Sequence, residues 1–313
     1  MRVMFMGSTD KTARVLQIQN FSVHDGDGIR SVIFFAGCPL NCKWCANPEG
    51  KTASYKVAYY SKTCIDCKAC AKICRFDNRR ELCVLCGRCA EACPNGSRKS
   101  MVFDMTEDEI IKAIEPQMGY FRASSGGVTF SGGEPTMQPE IFKSLARRLY
   151  DMGVDLALET CGYFDFDEMS ETLELFNTIF FDIKTMNEPA HIENTGVGNR
   201  KILDNLALAV GLPSEIIIRT PIILGFNASC EDIGAICEFV RNTVPGASIE
   251  LLPYHKYGEV KYEALGIELP PAEFQVPDKY LMKELVQVVN HRITTSSGGL
   301  KDCPYKGRNT SSA

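Results

Sequence analysis

The chain has 313 residues, 45% of them apolar, and a formal net charge of −5. That length can bury a substantial core in one large α/β domain or two modest ones, and no apolar run is long enough to span a bilayer. The opening stretch MRVMFMGSTDKTARV lacks the basic–apolar–small order of a secretory signal, so a soluble, cytoplasmic protein with no membrane partner is expected.

In chain order, the first expected element is a buried strand, SVIFF (31–35), a short β-branched and aromatic run. Beyond a cysteine-rich segment, Thr106-Glu107-Asp108-Glu109 reads as the cap of an amphipathic helix running toward Met118. Strands and helices then alternate: GVTFS, a helix over 139–150, VDLALE, a helix over 168–175, TIFFDIK and a helix over 201–210. EIIIRTPII, a helix over 231–241, ASIELLPY and a helix over 279–291 complete the series. Six strands separated by helices mark a parallel sheet with right-handed crossovers. The expected fold is α/β, a partial (β/α)6 TIM-like barrel open on one side; a doubly wound sheet is the structural alternative. Residues 1–58 and 101–293 would form the barrel, 59–100 an insert, and 294–313, with SSGG and NTSSA, a flexible tail.

Fifteen cysteines are many for a chain of this kind, and eleven fall between Cys38 and Cys93, leaving Cys161, Cys230, Cys237 and Cys303 scattered. Clustered thiols in a reducing compartment point to metal ligands rather than disulfides. From Lys62 to Lys99 nine Lys/Arg stand against four Asp/Glu, a local +5. A basic patch can mean nucleic acid, but here the cations offset the negative charge of thiolate-bound centres, and no nucleic-acid partner is expected.

Cys38, Cys42 and Cys45 lie in GCPLNCKWC with C-x3-C-x2-C spacing, directly after the SVIFF strand. Loops at the carboxyl ends of barrel strands build active sites. Three thiolates on one short loop can hold three irons of a [4Fe–4S] cluster and leave the fourth open, which distinguishes a catalytic centre from a closed one. A zinc site completed by a distant fourth cysteine is the bland alternative. The runs Cys64-Cys67-Cys70-Cys74 and Cys83-Cys86-Cys89-Cys93 repeat C-x2-C-x2-C-x3-C, the pattern of bacterial two-cluster ferredoxins. In that pattern the fourth cysteine of each run serves the other cluster. Cys64, Cys67, Cys70 and Cys93 would then hold one, and Cys83, Cys86, Cys89 and Cys74 the other. Arg75 replaces the proline that follows the first run, whereas Pro94 follows the second.

With these motifs the chain resembles, from about residue 17 to 261, the glycyl-radical-enzyme activating enzymes of the radical SAM superfamily, in the subgroup with an inserted ferredoxin-like domain. The resemblance implies reductive cleavage of S-adenosylmethionine (SAM) to methionine and a 5′-deoxyadenosyl radical. That radical would take a hydrogen from the α-carbon of a glycine in a partner glycyl radical enzyme. It implies three [4Fe–4S] clusters and a low-potential electron donor such as flavodoxin or ferredoxin. Trp44, the sole tryptophan, stands where the family places an aromatic residue near adenine; FSGGEP offers Gly132, Gly133 and Glu134 to the SAM amino group. ETCG (Glu159, Thr160) and FFDIK (Asp182, Lys184) correspond to segments lining the SAM pocket and, in some members, a Na+ or K+ site. IIIRTPIILGFN supplies Arg219, LLPYH supplies His255, and FSVHDGDGIR, with Asp25 and Arg30, resembles a loop that meets the incoming glycine. Asp27 stands there in place of a proline, and Cys161 is expected to be a plain buried thiol. A radical SAM enzyme acting on another peptide or small molecule, and a ferredoxin-type electron carrier, are the alternative functions.

Overall fold

The structure, a computed structural model, describes residues 11–294. It begins with an antiparallel pair, β1 (Thr12–Ser22) and β2 (Arg30–Phe35). A short hairpin, β3 (Val57–Tyr59), which precedes α1 (Ala69–Ile73) and α2 (Arg88–Glu91), and β4 (Arg98–Ser100), closes off the cysteine-rich segment. β5 (Phe103–Thr106) then pairs with β1 and leads into α3 (Glu107–Ile114) and α4 (Met118–Ser124).

The remainder alternates as expected. β6 (Gly127–Gly132), α5 (Pro139–Asp151), β7 (Asp155–Thr160), α6 (Phe166–Leu173) and β8 (Thr178–Asp182) come first. α7 (Glu188–Thr195), α8 (Arg200–Ala209), β9 (Glu215–Ile222), α9 (Cys230–Thr243), β10 (Ser248–Pro253), α10 (Glu259–Leu265) and α11 (Lys279–Thr294) follow. The expected tail, apart from the end of α11, lies outside the described residues.

The sheet order is β10-β9-β8-β7-β6-β2-β1-β5, and the six neighbours from β2 to β10 are parallel. This is the partial barrel, with two antiparallel strands added at the β2 edge. Those two were not anticipated: β1 carries Arg14, Gln17 and Gln19 among its apolar residues, and β5 is only four residues long.

Local chemistry fixes the ends of elements. Thr106 accepts the Glu109 amide while the Glu109 side chain reaches back to the Thr106 amide, a complete capping box at α3. Between sheet and helices the core is aromatic: Phe142 stacks on Phe176 at 5.7 Å, and Phe130 meets both edge-on. Arg30, only 1% exposed, is consumed by this framework. Its guanidinium pairs with Asp155 at 2.8 Å and donates to Thr129 and to the Val128 carbonyl. It therefore anchors the 23–29 loop to β6 and β7 instead of facing outward.

Candidate active site

The cysteine loop after β2 is tied to the barrel at several points. Gly37 N donates to Gly50 O at 2.8 Å, Asn41 N to Thr195 O at 2.7 Å, and Lys43 N to Asn194 O at 3.0 Å. The Tyr262 hydroxyl on α10 donates to Cys45 O at 2.9 Å. Cys38, Cys42 and Cys45 thereby share one cavity of about 810 Å3 at the carboxyl ends of the parallel strands. Asp25, Trp44, Gly132, Gly133, Glu159, Thr160, Asp182, Lys184, Arg219 and His255 also line it. Glu134 does not.

Glu134 is fully buried, and its carboxylate is saturated from within the protein. One oxygen accepts from the Thr136 hydroxyl at 2.8 Å; the other accepts from the Thr160 hydroxyl at 2.9 Å and from Cys161 N at 2.7 Å. It stitches the β6 loop to the β7 loop, and Thr160 is spent on the same link. The glycines before it are needed for close backbone approach. A Cβ on Gly132 would sit 2.3 Å from Phe35 N, and one on Gly133 2.1 Å from Gly37 O. Gly133 N and Glu134 N donate to Phe35 O and Gly37 O, so this turn presses on the cysteine loop itself.

Charge in the cavity is arranged in pairs. Lys184, 6% exposed, donates to Asp182 at 2.7 Å. Burial would pull its pKa down, but Asp182 and the Cys42 sulfur outweigh burial and hold it above the ordinary value. Asn227, fully buried, fixes this stretch by donating to Lys184 O at 2.7 Å. Arg219 is committed three ways: to Glu159, to Glu250 at 2.8 Å and to His24 O at 2.9 Å, with its guanidinium 3.5 Å above the Phe180 ring. Burial pushes Glu159 up to about 7 despite Arg219. His255 is exposed at the rim beside Tyr257, and Asp25 accepts from the Ser22 hydroxyl. Trp44 both lines the cavity and packs on Phe226 at 4.5 Å.

The three thiols face one cavity and are not grouped to hold a single metal ion. Burial pushes Cys42 up to about 12 and raises Cys45, so each resists losing its proton until a metal takes the proton's place. The neighbouring Cys161 thiol lowers the Cys38 value against the effect of burial. Burial, the Cys38 thiol and the Glu134 charge raise Cys161 well above the usual thiol range.

The other eight cysteines sort into two further cavities. One of about 260 Å3 is lined by Cys64, Cys67, Cys70 and Cys93; another of about 130 Å3 is lined by Cys74, Cys83, Cys86 and Cys89. The fourth cysteine of each run thus sits with the other run. Among the described residues no three His, Cys, Asp or Glu side chains are grouped to hold a single metal ion.

Four residues at the site escaped the sequence reading. Tyr262 and Asn227 act through backbone oxygens, Ser131 donates to Glu159, and His24 presents only its carbonyl to Arg219. No spacing rule reveals such contacts, although Asn227 does stand in the strand-end segment ILGFN.

A family model described as a 4Fe-4S single cluster domain matches residues 24–195. The chain is 39% identical, over 89% of its length and 95% of the relative's, to the isethionate sulfite-lyase activating enzyme of Nitratidesulfovibrio vulgaris. It is 36% identical to the choline trimethylamine-lyase activating enzyme of Oleidesulfovibrio alaskensis, over 83% and 89% of the two chains. A solved radical SAM methyltransferase from Sphaerobacter thermophilus shares the fold at 12% identity, with a TM-score of 0.52 over 89% of this chain and 74% of the other.

Proposed function

Because the chain belongs to the glycyl-radical-enzyme activating enzymes of the radical SAM superfamily, we propose that Cys38, Cys42 and Cys45 hold its SAM-binding cluster and that the eight remaining clustered cysteines hold two more. The activity is that of an activase: reductive cleavage of SAM, with a glycyl radical enzyme as partner. When bound, the tripod's cluster supplies the electron that splits SAM, and the fragment so formed takes the hydrogen of the partner's glycine.

The observation that carries the site assignment is the shared cavity. Three thiols, a glycine turn, a held-charged Lys184 and the sole tryptophan meet in one space at the strand ends. Lys184 offers a fixed positive charge to a carboxylate. Gly132 and Gly133 line the cavity beside the cysteine loop, and Trp44 offers an aromatic wall. Asp182 and Glu159, candidates for a Na+ or K+ site, each already face a protein cation, so Lys184 takes that ion's place in this reading. His24 and Asp25 lie where this cavity meets a second one, of about 560 Å3, toward the 23–27 loop, and this is the side we assign to the partner's glycine loop.

Residues 59–100 are read as a unit that passes electrons inward from a reduced flavodoxin or ferredoxin. An electron carrier with no substrate would need only this unit and would leave the barrel cavity without purpose.

The test is anaerobic. Reconstituted protein with dithionite and SAM is expected to release 5′-deoxyadenosine, and adding a partner enzyme is expected to give the electron paramagnetic resonance signal of a glycyl radical. Iron loading without nucleoside release would overturn the site assignment.

A further inference from the structure

The connector between the two four-cysteine runs contains a local cost with no return in packing. Asp77 and Asn78 occupy the left-handed region consecutively, at φ 52° and 59°. Asn and Asp enter that region more readily than other side chains, but as single residues. Asn78 also leaves its Oδ1 buried with no partner among the described residues. A surface-loop amide ordinarily satisfies both of its ends. What the arrangement achieves is one contact: Asn78 Nδ2 donates to Cys70 Sγ at 3.4 Å.

Asn78 lines the cavity that holds Cys64, Cys67, Cys70 and Cys93. The internal repeat has no equivalent. The same offset that carries Cys70 onto Cys89 carries Asn78 onto Ser97, and Ser97 lines the cavity of Cys64 and Cys93, not that of Cys89. In the second cavity the sulfur contacts include backbone amides, such as Leu85 N to Cys83 Sγ at 3.4 Å, and the exposed Arg88 at Cys86, but no side-chain amide among the described residues. The two accessory centres are therefore served by different donors.

We propose that Asn78 is a positioning residue that sets the reduction potential of the accessory cluster on Cys64, Cys67, Cys70 and Cys93. The proposal rests on the three-cluster reading above. Adding an electron makes a thiolate-bound cluster more negative, and an N–H donor on a ligand sulfur stabilises that added charge. Asn78 thus raises this centre's potential and leaves the other accessory centre and the SAM-binding centre untouched. The orphaned oxygen and the left-handed pair are the structural cost of aiming that N–H.

Two variants separate tuning from folding. Asn78→Asp keeps the side-chain shape but has no N–H to offer; Asn78→Gly removes the amide and relieves the left-handed strain. In both, with iron content matching the parent, potentiometric titration followed by electron paramagnetic resonance is expected to show one accessory midpoint shifted downward and the other two unmoved. Unmoved midpoints in both variants, or all three moving together, would overturn the role of Asn78. A parent holoenzyme lacking that accessory centre would instead overturn the cluster reading, before Asn78 is altered at all.

Discussion

The molecule contains two kinds of cysteine site, and they are supported in opposite ways. The tripod of Cys38, Cys42 and Cys45 hangs from a packed barrel that has an aromatic core and ties its loop through backbone hydrogen bonds. In the insert, no described residue between 61 and 96 is buried. Ile65 and Val84 are 63% and 66% exposed, and the helices α1 and α2 have five and four residues. A segment so small has too little apolar surface to order itself. In the proposed reading the barrel positions its metal group and the insert would be organised by its own, so that binding free energy at the insert would be folding free energy.

The sharpest break in this comparison comes from the tripod. Cys42→Ala is expected to abolish 5′-deoxyadenosine release entirely while leaving both accessory clusters and the barrel's thermal transition. A variant that still cleaves SAM would remove Cys42 from the site.

Metal removal separates the regions next. After anaerobic chelation, limited proteolysis with mass spectrometry is expected to cut between 62 and 97 while the barrel resists. Equal protection of the insert with and without iron would show that it has a protein core after all.

Phe142→Ala probes the barrel alone. It deletes a fully buried ring between Phe130 and Phe176 and should cost roughly 3–5 kcal/mol of stability in chemical denaturation. The same variant should leave the accessory-cluster spectra unchanged.

The smallest effect is electrostatic. Glu159 titrates at about 7 in the fold against an ordinary 4.5, so the folded chain binds its proton more tightly. Its stabilising contribution is complete below about 4.5 and is lost as pH rises through 7. Glu159→Gln should remove that decline, so that melting temperature plotted from pH 4.5 to 7 climbs more steeply, or falls less, than in the parent. Parallel curves would place the Glu159 value near the ordinary one.

What the sequence disclosed follows from the range of the forces involved. Cluster ligands must recur at short spacings, and strand-end motifs must stand at strand ends, so Cys38 to Cys93 and the segments around Gly132, Glu159 and Asp182 were visible in one dimension. β1 and β5 were not, because an antiparallel edge pair is decided by residues far apart, such as Val15 opposite both Phe35 and Phe103. Glu134 read as a ligand residue because FSGGEP resembles the family's GGE motif. Only the folded chain shows its carboxylate turned to Thr136, Thr160 and Cys161. Arg219 likewise read as a reactive group, and proves to be bound on three sides. α7, with Asn187 capping it and Gly196 ending it in a left-handed turn, has no counterpart among the expected elements although both signals stand in the sequence.

In the proposed site three sulfurs hold a cube of iron with one corner free for SAM. Mössbauer spectroscopy of the oxygen-free protein, loaded with about twelve irons as three cubes of four, tests this assignment directly. Addition of SAM should change the spectrum of a single iron and leave the others as they were. If no iron responds, or if zinc occupies the tripod, the assignment is contradicted.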